Sequence, residues 1–365
     1  MTIQNQYNPQ IVFHPGETLA EKLEEMGMGP KEFALRTSKP EKTIIAILKG
    51  ESSITPDMAV LFENVLRIPA HFWLNNQRHY DEYKAREKRQ ELLQESVAWM
   101  LSFPVLDMIK KGWIDAGKST TERAYALLTF FGFSTPAAWE NYYYGQQLKV
   151  AFRISLAHTK EPHSLSAWLR KGDLQASELQ TPPFEEKKFK SNLEEIKGLM
   201  ATHPDDFFGQ LQQLCLEAGV KLVHTPCLPK APISGSTRWL NEGVPLIQLS
   251  GRYKRNDSFW FTFFHEAGHI LLHGKKDIFL EDIEYTDKDL AKEAEADQFA
   301  VKWTFSEEQE EELLQQFQIG EDDIIECAKK CNTHPAMIIG RLHKKGLIPY
   351  SVGRKFILPI DLNEQ

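Results

Sequence analysis

The sequence contains few cysteines and no long hydrophobic segment, and both absences narrow the class of protein. Four cysteines in 365 residues (Cys215, Cys227, Cys327 and Cys331) are too few for a disulfide framework and indicate reduced thiols. No run approaches the ~18 uninterrupted apolar residues that a membrane helix needs. Residues 1–15 lack the charged and apolar regions of a secretion signal. We therefore predict a cytoplasmic protein with no membrane partner.

An excess of basic residues is also absent. Lys and Arg number 43 against 51 Asp and Glu, which gives a formal net charge of -8. This balance argues against broad nonspecific binding of nucleic acid by the whole molecule, although it allows a local basic patch. Because 42% of the residues are hydrophobic, the chain is not mainly disordered, and its length suggests two or three domains.

Three segments of different character predict an α+β protein. Residues 1–95 have the apolar spacing of short helices with tight turns. Residues 96–190 are rich in aromatics and still mostly helical in period, which predicts a helical connector. Residues 191–365 change character, because short strand-like stretches precede a strongly apolar helix. We therefore predict an all-α domain, a connector and a C-terminal domain with a small sheet.

The C-terminal segment contains two predicted strands, residues 219–224 and 245–250. Gly235 and Gly243 are expected to mark turns. Residues 334–356 predict one more helix and a terminal strand.

The strongest chemical signal is the sequence His265-Glu266-Ala267-Gly268-His269. Two histidines four residues apart lie on one face of a helix, close enough to share one Zn²⁺. The intervening glutamate can accept a proton from an activated water and later deliver it to a leaving amine. The alternative is a pair of core histidines with satisfied hydrogen bonds. Unpaired histidines buried in so apolar a helix would be costly, which favours the metal site.

A catalytic zinc site needs a third protein ligand and one open position. His273 is a poor source, because it lies two turns from His265, about 12 Å along the helix axis. A later acidic helix is a better source, since Glu293 and Asp297 share one of its faces. Glu293 could then bind the metal while Asp297 accepts the outer N–H of a ligand histidine. Glu295 points away from Asp297 and is the weaker candidate, so the choice of glutamate stays open.

Four segments around these motifs form a combined pattern: residues 234–240, 245–250, 259–273 and 293–300. The pattern resembles the ImmA/IrrE family of zinc metallopeptidases over about residues 195–345. The resemblance implies a zincin-like peptidase domain at residues 191–365. It also implies one Zn²⁺ per chain, held by His265, His269 and a glutamate of the second motif, with Glu266 as general base. Repressor-type transcription factors are the implied protein substrates.

The chain departs from that family at residues 301–305, where the usual continuation towards Leu-x-Pro is replaced by Val-Lys-Trp-Thr-Phe. The sequence therefore does not indicate which residues line the far side of the substrate cleft. We expect the substrate to lie extended against an edge strand, Leu246–Ser250, through main-chain hydrogen bonds.

The N-terminal part has its own pattern, carried by residues 14–17, 33–34, 44–50, 54–59 and 72–77. It resembles the XRE/Cro-C1 helix-turn-helix proteins and, among them, the HigA-type antitoxins. Such domains place their third helix, here about residues 40–49, in the major groove. The resemblance implies operator DNA as a partner, with candidate contacts from Lys39, Lys42, Thr43 and Lys49.

This N-terminal part also departs from its family. Positions usually filled by Ser and Arg are Ile45 and Ala46, and Pro30 replaces the glutamine that often opens the second helix. Residues 1–90 contain 12 basic and 12 acidic side chains, so the unit is neutral. Because base reading needs hydrogen-bond donors and phosphate contacts need positive charge, a surface for protein interaction or dimerisation is the alternative.

Two functional hypotheses follow. The first is a zinc metallopeptidase of the HExxH type that acts in transcriptional or stress control. The second is an antitoxin-like DNA-binding regulator whose peptidase fold serves as a sensor or scaffold. The intact Glu266 favours the first, because a scaffold has no need of the base. A homodimer is expected only because helix-turn-helix dimers are common.

Overall fold

The computed structural model describes most of the chain. The described residues are 12–144, 161–229, 233–240, 243–273, 279–280, 287–315, 319–360 and 362. They fall into two compact units, Met1–Glu95 and Ser96–Gln365. Within these residues no helix has the length and apolar character needed to cross a membrane.

The first unit is all helical. Its helices are α1 (Pro15–Glu25), α2 (Pro30–Thr37), α3 (Glu41–Leu48), α4 (Pro56–Leu66) and the first part of α5 (Ala70–Met100). Its core includes Phe62, whose ring lies 4.9 Å from that of Phe33 and 6.0 Å from that of Trp73, measured between centroids. The Thr55 side chain accepts a hydrogen bond from the Met58 N–H and so caps α4.

The second unit contains the remaining helices and all four described strands. The helices are α6 (Val105–Lys110), α7 (Thr120–Phe131), α8 (Pro136–Tyr144), α9 (Pro162–Glu178), α10 (Glu186–Thr202), α11 (Phe207–Glu217), α12 (Asn256–Leu272), α13 (Asp287–Thr304), α14 (Glu307–Leu314), α15 (Glu321–Cys331) and α16 (Pro335–Lys344). The strands are β1 (Lys221–His224), β2 (Gly235–Trp239), β3 (Pro245–Leu249) and β4 (Phe279–Leu280).

The four strands form one sheet in the order β1-β3-β2-β4. Strand β1 runs parallel to β3, whereas β2 is antiparallel to both β3 and β4. Together with the helices this confirms the predicted α+β class, and β1 and β3 match the two predicted strands. Gly235 was expected to mark a turn, and this is wrong: it is the first residue of β2 and pairs with Leu249.

The expectation that Leu246–Ser250 is an edge strand is also wrong. β3 pairs with β1 on one side and with β2 on the other, and all five of its residues are buried. Side chains on both faces of β3 are buried, and a strand covered on both faces is mostly hydrophobic in sequence. A substrate backbone cannot pair with β3.

The C-terminal tail confirms the predicted helix, α16, but not the terminal strand. Gly353 adopts a left-handed φ of 70° and precedes a short 3₁₀ helix, Arg354–Phe356. Among the described residues beyond it, pairing is limited to a single bridge between Arg255 and Pro359.

Helix α9 packs against the sheet through polar groups. The Trp168 indole N–H donates to the Thr225 carbonyl at 2.8 Å, and the Gln248 amide donates to the Trp168 carbonyl at 2.8 Å. A Cβ at Gly172 would overlap the Gln248 side chain, so the glycine permits this close approach. Because α9 is joined to the sheet in this way, the predicted boundary at residue 190 does not separate two compact units.

The packing of α1 on α3 yields a stability prediction. A Cβ at Gly16 would overlap the carbonyl oxygen of Ile47, so Gly16→Ala should destabilise the first unit by about 1–3 kcal/mol. Hydrogen–deuterium exchange of residues 12–66 in the full chain measures this loss. Gly29→Ala is the control, because no atom lies within 4 Å of the added Cβ, and it should cost less than about 1 kcal/mol. Equal protection in both variants contradicts the packing argument.

Candidate metal centre

Helix α12 places two imidazoles on one buried face. The side chains of His265 and His269 are 2% and 1% exposed. Their Nε2 atoms lie 3.0 Å apart, as the four-residue spacing predicts. Most of the other residues of this helix are buried, and Phe263, Phe264 and Ala267 belong to the hydrophobic core. The two rings are therefore held in a water-poor environment.

Helix α13 brings a carboxylate to the same point. Glu293 Oε2 lies 3.1 Å from His265 Nε2, and Glu293 Oε1 lies 3.4 Å from His269 Nε2. Within the described residues, these three side chains form a group whose donor atoms all lie within 4.8 Å of one another. Of the two glutamates that the sequence leaves open, the structure places Glu293 in the cluster.

Small residues allow the two helices to approach this closely. Gly268 faces Phe299, and a Cβ at Gly268 would lie 3.2 Å from the Phe299 side chain. Ala296 and Ala300 on α13 are completely buried. Flat packing of Phe264 on Trp303, with ring planes 4° apart, extends the contact along the helices.

Asp297 takes the position that the sequence predicts for an outer partner. Its Oδ1 lies 2.9 Å from His265 Nδ1, on the side of the ring opposite the cluster. If the hydrogen of this ring is on Nδ1, Nε2 is left with a lone pair directed at Glu293 and His269. The contact therefore fixes the tautomer that a metal ligand requires.

His273 contacts the outer side of His269, a role that the sequence did not predict. His269 Nδ1 lies 2.9 Å from His273 Nδ1, and His273 Nε2 lies 3.2 Å from Glu295 Oε2. Glu295 therefore contacts His273 and not the cluster. Four-residue spacing between His269 and His273 is the signal that could have revealed this contact, since it places the second ring one turn beyond the first.

Glu266 lies between α12 and the sheet. It is completely buried, and the Thr237 hydroxyl on β2 donates to its main-chain carbonyl at 3.0 Å. A Cβ at Gly235 would lie 2.6 Å from Glu266 Oε1 and 2.7 Å from Thr262. The start of β2 must therefore lack a side chain for the carboxylate to occupy its place.

The protonation states suit a metal site. Burial lowers the pKa of His269 to about 4, so its imidazole is neutral at pH 7 and can offer a lone pair. Burial alone raises the pKa of Glu293, but hydrogen bonds with His265 and His269 outweigh it and bring the pKa to about 2. A neutral His269 imidazole and a Glu293 carboxylate are thus present together.

The donor set and its spacing fit a zinc ion. Ligands at about 2.0–2.1 Å in a tetrahedron lie about 3.4 Å from one another. The three separations in the cluster, 3.0, 3.1 and 3.4 Å, are close to this value. Two histidines and one glutamate with a fourth position left for water is a known composition of catalytic zinc sites.

The candidate DNA-contacting residues lie on and around α3. Lys42 and Lys49 are exposed, and Lys39 and Thr43 are partly exposed. Ile45 on the same helix is 36% exposed, and Leu35 on α2 is 75% exposed. The accessible surface of α3 therefore combines positive charge with apolar side chains, and both predicted uses of this helix remain predictions.

Fold and site together define a metallopeptidase-type domain that follows an all-helical N-terminal unit. Residues 215–343 match the Peptidase_M78 family model, described as the IrrE N-terminal-like domain. The chain therefore combines an N-terminal helix-turn-helix domain with a C-terminal domain of the ImmA/IrrE family.

Relatives of the N-terminal part are regulators and antitoxins. An uncharacterised HTH-type transcriptional regulator, YddM of Escherichia coli, is 29% identical over 73 residues, which is 20% of this chain and 78% of that protein. A HigA-family antidote protein from Coxiella burnetii is 34% identical over 23% of this chain and 91% of its own, with a TM-score of 0.22. The Pseudomonas aeruginosa antitoxin HigA, solved with the higBA promoter, is 28% identical over 22% of this chain and 89% of its own, with a TM-score of 0.22.

Removal of the third donor gives a direct test of the cluster. Glu293→Ala should lower the affinity for Zn²⁺ by more than about 100-fold, because loss of a ligand costs more than loss of an outer partner. Competition with a chromophoric chelator measures the affinity, and elemental analysis gives the zinc content per chain. Glu311→Ala, on the exposed surface of α14, is the matched control and should bind zinc normally. Wild-type affinity in Glu293→Ala would remove Glu293 from the site.

Proposed function

We propose that this protein is a zinc-dependent metallopeptidase that cleaves a protein substrate in transcriptional or stress control. The observation that carries the proposal is the cluster of His265, His269 and Glu293, together with the buried Glu266, which directly follows His265 on α12. The match of residues 215–343 to the Peptidase_M78 model supports the same class.

The residues have distinct tasks in this proposal. His265, His269 and Glu293 would hold Zn²⁺, which supplies Lewis acidity and lowers the pKa of water when it is bound. Glu266 accepts a proton from the attacking water and delivers it to the departing amide nitrogen. The Glu266 carboxylate lies against Gly235, where a Cβ would come within 2.6 Å of its Oε1.

The proposed substrate class follows from the combination of domains in this chain. A helix-turn-helix domain in the same chain associates the peptidase-type domain with transcription, and the resemblance to the ImmA/IrrE family points to a repressor-type regulator. A cytoplasmic location agrees with this substrate. Both assignments, and a homodimer, are parts of the proposal.

Glu266→Gln tests the enzymatic hypothesis. The amide keeps the size of the side chain but cannot accept the proton, so peptide cleavage should fall by about 100-fold to 10,000-fold while zinc content stays at the wild-type level. Comparison of the proteomes of cells that carry the wild-type or the variant protein identifies substrates that persist in the variant. Cleavage of such a substrate by the purified proteins then gives the ratio of rates.

Matched zinc contents are the control for this experiment, because they separate loss of the base from loss of the metal. An unchanged proteome and an unchanged cellular phenotype in Glu266→Gln would favour the second hypothesis, a regulator whose peptidase fold acts as a sensor or scaffold.

We also propose that the N-terminal domain contacts DNA through α3. The exposed Lys42 and Lys49 support this proposal, because they place positive charge at the surface on and directly after the third helix. The relationship to a helix-turn-helix transcriptional regulator agrees with it.

A gel-shift titration tests this contact. With a duplex from upstream of the protein's own gene, binding should weaken at higher salt with a slope of about -0.9 per phosphate contact in a plot of log affinity against log salt. The double variant Lys42→Ala, Lys49→Ala should weaken binding and make the slope shallower by about 2. Lys88→Ala, on the exposed surface of α5, is the control. No binding at low salt would favour the protein-interaction alternative.

A further inference from the structure

The two ligand histidines are supported on their outer sides in different ways. His265 contacts the carboxylate of Asp297 directly, whereas a second imidazole lies between His269 and its carboxylate. The intermediate ring belongs to His273, whose side chain is 3% exposed, and the carboxylate is that of Glu295, which is 61% exposed. The outer support of His269 is therefore a buried ring backed by a surface charge.

The end of α12 places His273 where it can act in this way. Helix α12 ends at Leu272, and His273 has an extended backbone (φ -114°, ψ 159°) while its N–H still donates to the His269 carbonyl. Its ring lies beside that of His269, with centroids 5.0 Å apart. The contact is made to Nδ1 of His269, the edge of the ring away from Glu293. His273 therefore supports the ligand from behind and does not join the cluster.

The hydrogens of the two rings can be assigned from these contacts. A ligand nitrogen must present a lone pair, so a His269 ring that binds metal through Nε2 keeps its hydrogen on Nδ1. That N–H donates to His273 Nδ1, which must then carry a lone pair. The hydrogen of His273 is consequently on Nε2, from which it donates to Glu295 Oε2. Each ring hydrogen is donated to the next group in the series. The hydrogen bonds therefore run in one direction, from the cluster through His273 to Glu295 at the surface.

We infer that His273 and Glu295 form a positioning pair that fixes the tautomer and orientation of His269 for metal binding. The inference rests on the proposed metal site, and it adds His273, the residue that directly follows the HExxH helix, to the groups that support that site. His273 lies on the far side of His269 from the cluster, so it would not touch the metal. Its effect should therefore appear first in metal affinity, since outer partners of ligand histidines are typically worth about 10–100-fold.

Substitutions that differ in hydrogen bonding test the pair in the full-length protein. His273→Phe retains a buried ring but offers no acceptor, so the dissociation constant for Zn²⁺ should rise about 10–100-fold. His273→Gln retains an acceptor for His269 and a donor for Glu295, and should restore most of the lost affinity. Glu295→Gln should have a smaller effect than His273→Phe, because an exposed carboxylate is screened by solvent. Glu311→Gln is the matched surface control.

A spectroscopic readout separates positioning from general structure. In the zinc-loaded protein, ¹⁵N–¹H NMR of the imidazoles should show the His269 hydrogen on Nδ1 and that of His273 on Nε2. In His273→Phe, the His269 signal should shift or broaden. Thermal unfolding of the metal-free protein should change little, which distinguishes a positioning role from a loss of packing. If His273→Phe does not fold, Glu295→Ala tests the same pair from the surface.

The outcomes distinguish this inference from the proposed function. Zinc affinity of His273→Phe and Glu295→Ala equal to that of the wild type would overturn the positioning pair and leave the metallopeptidase proposal intact. Weakened zinc binding in these variants without peptide cleavage by the wild type would support the pair and overturn the proposed activity. A wild-type protein that binds no zinc would overturn both.

Discussion

Close packing of α12 on α13 is the constraint on which the candidate site depends. Ligands on different helices converge only if the helix axes approach within the reach of a glutamate side chain, and bulky residues at the contact would prevent this. Gly268 meets this requirement on α12, and the buried Ala296 and Ala300 meet it on α13. The glycine of the HExxH motif thus has a packing role apart from metal chemistry. The two separations between Glu293 and the histidines follow from this contact.

Burial of so many polar groups between two helices requires that they satisfy one another. An unpaired imidazole or carboxylate in an apolar interior costs several kcal/mol, so the partners of the cluster are as important as its members. Asp297 and His273 accept from the outer nitrogens of the two ligand rings, while Glu293 faces both inner nitrogens. A ligand ring cannot then rotate without breaking a contact on each side. The arrangement therefore fixes the directions of the donor nitrogens.

Local spacing predicted the parts of the site that lie on single helices. The four-residue periods of His265 and His269, and of Glu293 and Asp297, follow from helix geometry, so the sequence alone placed each pair on one face. The sheet was less predictable, because strand order depends on pairings between distant segments. A short, mostly apolar segment such as β3 does not show whether it lies at the centre or the edge of a sheet. Gly235 was also misinterpreted, because a glycine between strands usually indicates a turn. Here the close approach of Glu266 is the reason for the glycine.

The two faces of β2 connect the site with the helices before it. Gly235 and Thr237 face α12, where they contact Glu266, while the alternation of a strand directs Ser236 and Arg238 to the opposite face. There the Arg238 guanidinium, 4% exposed, donates to Asp173 on α9 at 2.7 and 3.0 Å, to the Leu169 carbonyl and to the Ser236 hydroxyl. A buried arginine that lost these partners would be strongly destabilising. The strand that confines Glu266 is therefore held from behind by α9, which lies outside the matched residues 215–343. Helix α9, which belongs to the predicted connector, therefore helps to hold the site in place, although it precedes the HExxH motif by many residues.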